Sequence, residues 1–414
     1  MQRLPFRSPI SRQWASSPPA KRHPKDGPVA LFSFPDSARQ RMQYWAPAIA
    51  AGGVSWGAFI LVGQTPVIRA SGLALVILAM ALTLRPFSAA LAVPGALALA
   101  FTPAFWSQTG GAESLNPVAI VAALGLAAAI TILGAFSTRR FFWAVAAGTV
   151  IFSLLFLLLA GTPRSLRLTT LVAAWMLYLL VDGLLLSNPR PDSPPIGRLG
   201  AHHTYGLLLL FAIGVINDPM VVLFAPALLL ALFLTGKRMP VLYWAALLVI
   251  SAYGVYDMAN SYSTPYWWAF SSQRAREIGI TVPYLVGNGW RDPDRWVDLA
   301  RLIIGQFTLI GAMLGVFGLA RLSRWYPPVG IVTLVAFGSF FVFGLLYFGA
   351  DAAVLLLPML MIQVVWMTYA IYGIGQWLTR GERWHVPRWL APAVYALLPA
   401  FLLLQNTGLI SSGH

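Results

Sequence analysis

The chain of 414 residues has no cysteine, only 13 acidic residues and a charged fraction of 10%. Without cysteine it forms no disulfide bond, no iron–sulfur cluster and no thiol nucleophile. A typical soluble domain is about 25% charged, so this chain carries too little charge for a surface that faces only water. It also lacks a P-loop, a dinucleotide-binding glycine motif, an HExxH helix and a GxSxG elbow, so none of the soluble enzyme classes defined by these motifs is indicated.

Basic residues outnumber acidic ones by 28 to 13, which gives a formal net charge of +15. In a soluble protein such an excess would suggest a nucleic-acid partner. Here the Lys and Arg residues lie at the ends of long apolar stretches, which is the positive-inside pattern of membrane proteins. The sequence therefore predicts that this charge meets membrane lipids, with no nucleic acid as partner.

Apolar stretches separated by short turns fill almost the whole chain after residue 44, and 58% of all residues are hydrophobic. Backbone groups find no water in hydrocarbon, so segments that span a membrane must satisfy them internally as helices. We predict an all-α polytopic membrane protein with about 13 transmembrane helices. The predicted spans are 45–63, 70–84, 88–106, 116–136, 142–161, 168–187, 204–217, 219–236, 240–258, 302–320, 328–349, 352–378 and 389–407.

Two of these spans, 70–84 and 204–217, are short for a membrane crossing. Asn217-Asp218-Pro219 is a turn signal within apolar sequence, so 204–236 is either two spans or one kinked pair of half-helices.

The distribution of charge predicts the orientation of the spans. With the N-terminus in the cytoplasm, 20 basic residues fall inside and eight outside, which predicts an external C-terminus. Residues 1–44 are rich in Arg, Lys, Pro and Ser and lack the apolar core of a signal peptide. We expect a disordered cytoplasmic tail that rests on anionic lipid head groups, followed by a transmembrane helical domain over 45–414.

The longest connection after the tail, at about 259–301, is predicted to lie outside. Its Tyr and Trp residues form either an interfacial belt or a binding surface, and both remain open. Arg274 and Arg276 suit a substrate phosphate or pyrophosphate, because a guanidinium fork matches phosphate oxygens. The alternative is a charge pair with Glu277 or ordinary contact with lipid phosphates.

Acidic residues near a membrane are costly and therefore informative. The predicted topology brings Glu113, Asp218, Asp257 and Asp351 to the outer ends of spans. Together they could hold a divalent cation, or one of them could act as a general base. The alternative is that each caps a helix or pairs with a nearby Arg.

Two further polar positions lie near the predicted cytoplasmic ends of spans. Asp182 is expected to reach the interface or to pair with an Arg. The adjacent His202 and His203 are interpreted as polar residues at a helix start, because no two of the five histidines show a metal-ligand spacing across a helical turn.

Several segments in order along the chain share a pattern with a known family. The first is Pro103-Ala-Phe-Trp106-Ser-Gln-Thr-Gly-Gly-Ala-Glu113-Ser-Leu-Asn116, ahead of an apolar helix. The others are Gly206 to Pro226, Asp257 to Phe270 with Ser263-Thr-Pro265, Gln306-Phe307 through Gly318, and Asp351 through Pro358 to Gly373. This ordered set resembles the bacterial protein O-mannosyltransferase-like membrane proteins, which belong to the GT-C superfamily of integral-membrane glycosyltransferases.

The resemblance implies a GT-C-like helix arrangement in the cytoplasmic membrane and a lipid-linked sugar donor. Enzymes of that family transfer sugar from a polyprenyl-phosphate carrier to an acceptor on the extracytoplasmic side. Glu113 matches the acid of the family's second outer loop, and Asp351 matches its late acid. The family's main catalytic acid lies in a large first outer loop, whereas here that loop is only Gln64-Thr-Pro-Val-Ile-Arg69 and contains no acid.

Three functional hypotheses follow from these observations. The first is an active glycosyltransferase with Glu113 or Asp257 as catalytic base and with Arg274, Arg276, Asp218 and Asp351 in substrate binding. The second is a non-catalytic GT-C-like subunit of a larger membrane-protein assembly, which the missing acidic loop favours. The third is a transporter, since interrupted segments such as the one at Asn217-Asp218-Pro219 occur in transporters.

Overall fold

The structure is a computed structural model of the chain. It describes residues 36–109, 166–187, 201–236, 239–262, 284–349, 351–380, 387 and 389–409. Residues 43–414 form one compact unit. The α-helices are α1 (Asp36–Leu61), α2 (Val67–Leu84), α3 (Ala89–Ala100), α4 (Pro103–Trp106), α5 (Leu166–Ser187), α6 (Ala201–Asn217), α7 (Ala225–Leu234), α8 (Val241–Tyr262), α9 (Pro293–Trp325), α10 (Pro327–Leu346), α11 (Ala352–Leu355), α12 (Leu357–Arg380) and α13 (Leu390–Asn406). Two 3₁₀ helices (Pro219–Phe224 and Gly289–Arg291) and two short strands, β1 (Tyr284–Leu285) and β2 (Tyr347–Phe348), complete the described elements.

The described residues are predominantly helical, which confirms the predicted all-α class. Within the described ranges, six helices are long and apolar enough to cross a membrane, judged by length and composition, and shorter apolar helices are also present. Predicted spans 116–136 and 142–161 lie outside the described residues. Every other predicted span coincides with a helix or with two consecutive helical segments.

Helix α9 is longer than the sequence predicted. The predicted span begins at residue 302, whereas α9 begins at Pro293, so the helix extends into the predicted loop. The Asp292 side chain caps the helix by accepting a hydrogen bond from the backbone N–H of Asp294 at 3.0 Å, and Pro293 occupies the first helical position. Charged side chains in these first turns gave them the appearance of an external loop. Helix α8 also continues to Tyr262, so both described flanks of the predicted loop are helical.

Helices α5 and α12 form the centre of the bundle. The apolar window of α5 is 89% buried and that of α12 is 83% buried, against 17% for α8. Helix α12 packs very closely against α9. A Cβ atom added to Gly318 of α9 would lie only 1.8 Å from the carbonyl oxygen of Trp366 on α12. On α8, large apolar side chains such as Leu248 and Val249 are exposed, as expected for a surface that faces lipid.

Side-chain contacts bring several helix termini to one end of the bundle. At the start of α5, the Thr169 hydroxyl donates to Asp218, which follows the last residue of α6. The C-terminal part of α8 reaches the same level, because Gly254 lies against Val215 and Val222.

Helix α10 ends at this level too. Its Phe340 ring packs against Phe224 of the first 3₁₀ helix with ring centroids 5.0 Å apart, and the chain then reaches Asp351. We call this the acidic end, defined by Asp218, Asp257 and Asp351. The other termini of α1, α2, α5 and α6 form the opposite end, defined by Tyr44, Arg85, Asp182 and His203.

Candidate functional site

Three of the predicted site residues lie at the acidic end. Asp218, Asp257 and Asp351 belong to different helical connections, and the packing of the helices brings these connections to one end of the bundle. Glu113, Arg274 and Arg276 lie outside the described residues, and their predicted roles stay predictions.

Asp218 is buried in a hydrogen-bonded junction between helices. Its side chain is 1% exposed and accepts from the backbone N–H of Met220 at 3.0 Å and from the hydroxyl of Thr169 at 3.1 Å. The side-chain amide of Asn217 donates to the same Thr169 oxygen at 2.8 Å. The turn signal in the sequence therefore marks the capped start of the first 3₁₀ helix, and its side chains hydrogen-bond the end of α6 to α5. This arrangement matches the capping alternative for Asp218.

Asp351 is half-buried in the connection after α10. Its carboxylate accepts a hydrogen bond from the hydroxyl of Tyr347, four residues earlier. Tyr347 itself belongs to strand β2, which pairs in antiparallel register with β1 through Leu285 and Tyr284. The strand pair and the tyrosine together fix the direction of the Asp351 carboxylate.

Arg295, in the first turns of α9, holds this connection in place. Its Nη2 group donates to the carbonyl oxygen of Gly344 at 2.6 Å and also to that of Tyr347. The guanidinium lies 4.2 Å from the ring centroid of Phe348, and its Nη1 lies 3.9 Å from Asp298. A charged fork thus satisfies the last carbonyls of α10, which have no partner within the helix.

Asp257 lies in the last turns of α8 and is half-buried. It accepts a hydrogen bond from the hydroxyl of Ser261 at 3.1 Å, one helical turn further on. Its position at the end of α8 places it beside the described beginning of the predicted loop.

The described residues do not form a cluster suited to a metal ion. Within the described ranges, no group of three or more His, Asp or Glu side chains is close enough to hold one. The described residues therefore supply no donor set for the predicted divalent cation.

The opposite end holds a second polar constellation that sequence reasoning did not assemble. His203 Nε2 lies 3.0 Å from Asp182 Oδ2, and the two hydroxyls of Tyr44 and Tyr178 lie 3.3 Å apart. The guanidinium carbon of Arg85 lies 3.8 Å from the centroid of the Tyr44 ring. Asp182 was expected to reach the interface or to pair with an Arg; the ion pair found among the described residues is with His203.

One sequence signal could have found part of this constellation. Trp175, Tyr178 and Asp182 recur at helical spacing on one face of α5, and a stripe with two polar members on an apolar helix marks a face that needs polar partners. The partners on α1, α2 and α6 are distant in sequence, so periodicity alone could not name them.

A cleft of about 520 Å³ opens near the opposite end between α3, α12 and α13. Its lining includes Ser88, Tyr372, Gln376 and Thr379. These polar groups bond within the protein: Gln376 donates to the Tyr372 hydroxyl, and Thr379 donates to carbonyls of its own helix. The described lining contains no charged side chain.

Comparison of the chain with protein-family models, with curated proteins and with solved structures finds no match.

Proposed function

We propose that this chain is a GT-C-like membrane glycosyltransferase that takes sugar from a polyprenyl-phosphate carrier. The observation that carries the proposal is the gathering of Asp218, Asp257 and Asp351 at one end of an otherwise apolar bundle. Charges in such surroundings are expensive, and their grouping at one end is typical of a functional surface. The motif resemblance along residues 103–373 supplies the reaction type.

In the proposed reaction the bond between the anomeric carbon of the sugar and the carrier phosphate breaks. A bond to the acceptor hydroxyl forms, and the hydroxyl proton passes to a carboxylate acting as general base. Asp351 and Asp257 are the described candidates for contact with the reacting atoms, and Glu113 is the candidate from sequence. Arg274 and Arg276 would bind the carrier phosphate.

The proposal includes the finer topology. It has about 13 spans in the cytoplasmic membrane, with the N-terminus in the cytoplasm and the acidic end outside. Its support is the charge bias of 20 basic residues to eight across the predicted loops.

A non-catalytic subunit of a membrane assembly is the second candidate. One observation favours it: Asp218, an acid placed on the substrate surface by sequence, is buried and bonded to Thr169 and Met220. A buried acid with these partners stabilises the fold and does not contact a substrate.

The test uses the full-length protein purified and reconstituted in lipid nanodiscs. A panel of radiolabelled polyprenyl-phosphate hexoses is added, and release of labelled sugar to water or to a hydroxyl acceptor is measured. Removing a general base is expected to lower turnover by about 10²–10⁴-fold, so Asp351→Asn, Asp257→Asn and Glu113→Gln are compared with the unaltered chain.

Asp298→Asn is the matched control, because this acid lies near the same end with a side chain that is 41% exposed. Turnover that survives Asp298→Asn but is lost in at least one of the other three variants supports the enzyme. The absence of turnover with every donor, together with stoichiometric partner proteins after mild extraction, would favour the subunit instead.

A further inference from the structure

Arg85 is a half-buried cation at the opposite end without a hydrogen-bonding acceptor in the described part of the chain. It follows the last residue of α2, and its guanidinium stacks over the Tyr44 ring at 3.8 Å. Its Nε atom is shielded from solvent and has no hydrogen-bond partner among the described residues. The contact with the ring leaves this Nε–H group without an acceptor.

Asp182, the described carboxylate in this neighbourhood, does not fill this role. Asp182 directs Oδ2 to His203 Nε2 at 3.0 Å, and no ion pair between Asp182 and Arg85 is found among the described residues. Tyr178 connects the two: its hydroxyl lies 3.3 Å from that of Tyr44, whose ring contacts Arg85, and Asp182 follows it one helical turn later on α5.

The surroundings of Arg85 are rich in donors. The hydroxyls of Tyr44 and Tyr178 lie 3.3 Å apart, so one of them donates to the other and one hydroxyl proton is left for a further acceptor. The ring of Trp175 lies edge-on to that of Tyr178, with the ring centroids 5.7 Å apart. Its indole N–H is buried and has no acceptor in the described ranges. Buried donors normally have partners, so an excess of donors indicates that an acceptor completes the arrangement.

We propose that Arg85, stacked on Tyr44, is the centre of a binding site for a phosphate group at the opposite end of the bundle. A phosphate offers several acceptor oxygens and a negative charge, and the planar fork of an arginine matches it better than a lysine does. The aromatic ring holds the fork in one plane and leaves its edge available. This site is separate from the proposed sugar-transfer surface at the acidic end.

The phosphate can belong to a membrane lipid head group or to a soluble molecule. Arg85 follows an apolar helix, and the ends of apolar helices in a membrane lie near lipid phosphates, so both sources present the same chemistry. The test therefore has two arms: dioctanoyl phosphatidylglycerol as the lipid probe and inorganic pyrophosphate as the soluble probe.

The experiment measures the thermal midpoint of the full-length protein in an uncharged detergent while either probe is titrated at constant ionic strength. We expect saturable stabilisation by one of the probes and an apparent affinity at least about tenfold weaker in Arg85→Gln, since hydrogen bonds to charged groups are being removed. Arg85→Lys keeps the charge but loses the fork, so it should rescue only part of the effect. Arg324→Gln is the control, because Arg324 is an exposed arginine near the same end.

Tyr44 provides a second pair of variants in case Arg85→Gln does not fold. Tyr44→Phe keeps the stacking ring and should bind almost normally, whereas Tyr44→Leu removes it and should weaken binding. Stabilisation by phosphatidylglycerol alone identifies a lipid head group, and stabilisation by pyrophosphate identifies a soluble ligand. The proposal is overturned if neither probe stabilises the protein. It is also overturned if the probe binds with equal affinity to the unaltered chain, Arg85→Gln and Arg324→Gln.

Discussion

The tightest helix contact in the described structure predicts a large effect from a single added methyl group. A Cβ atom on Gly318 of α9 would lie 1.8 Å from the carbonyl oxygen of Trp366 on α12. That oxygen belongs to the backbone of a central helix, so it cannot rotate away. In Gly318→Ala the two helices must therefore separate by about 1 Å, and the contacts along their interface weaken together.

The expected cost is about 2–3 kcal/mol, within the range for overpacking of a well-packed core. For a unit of about 370 residues this corresponds to a decrease of roughly 3–4 °C in the unfolding midpoint. The midpoint is measured in detergent as the temperature at which half of the monodisperse protein is lost. Because heating of such proteins is usually irreversible, all variants are compared at one heating rate.

Gly305→Ala is the matched control on the same helix. Nothing lies within 4 Å of the Cβ atom that this substitution would add, and alanine has the higher helix propensity by about 1 kcal/mol. Its midpoint should therefore stay the same or rise slightly. Equal midpoints for Gly318→Ala and Gly305→Ala would refute the close packing of α9 on α12.

Three other substitutions have defined expectations, each measured by the same thermal midpoint. Asp218→Asn should lower the free energy of unfolding by about 1–3 kcal/mol, because an amide N–H₂ cannot accept the hydroxyl proton of Thr169. An unchanged midpoint would contradict the hydrogen bond between Asp218 and Thr169. Thr308→Gly should raise the free energy of unfolding by about 1 kcal/mol, because the backbone of α9 kinks at this threonine, which is held in a strained conformation at φ 65° and ψ 168°. A loss of stability would show that the kink is not strained. Thr333→Val should lose about 1–3 kcal/mol by leaving the indole N–H of Trp366 without its acceptor at 3.0 Å, and Thr333→Ser should retain most of the stability.

The apolar pattern was sufficient to find the helices but not all of their ends. Long apolar stretches predict helices directly, and the turn at Asn217-Asp218-Pro219 was recognised because Asp and Pro are helix-start residues. The start of α9 at Pro293 was missed, although Asp292-Pro293 is the same kind of signal. The charged residues in the first turns of α9 assigned them to the predicted loop, and the capping signal was not used.

The polar partnerships were less predictable than the helices, because they join residues that are distant in sequence. His203 and Asp182 lie on either side of the connection between α5 and α6, and Arg85 meets Tyr44 from the preceding helix. A sequence shows which polar residues need partners but not which ones the packing supplies. Even the pair Tyr347 and Asp351, only four residues apart, depends on an irregular connection rather than on helical periodicity.

The two ends of the bundle differ in how their charges are satisfied, and this difference allows the two proposals to be tested separately. At the acidic end the protein supplies its own partners, as for Asp218 with Thr169 and Arg295 with the carbonyls at the end of α10. At the opposite end the described donors around Arg85 exceed the described acceptors. Arg85→Gln should therefore alter phosphate binding and leave sugar turnover per folded molecule unchanged, while Asp351→Asn should do the reverse. If each variant abolished both properties, the ends would not be independent, and a single substrate site reaching through the bundle would explain the charges better than two.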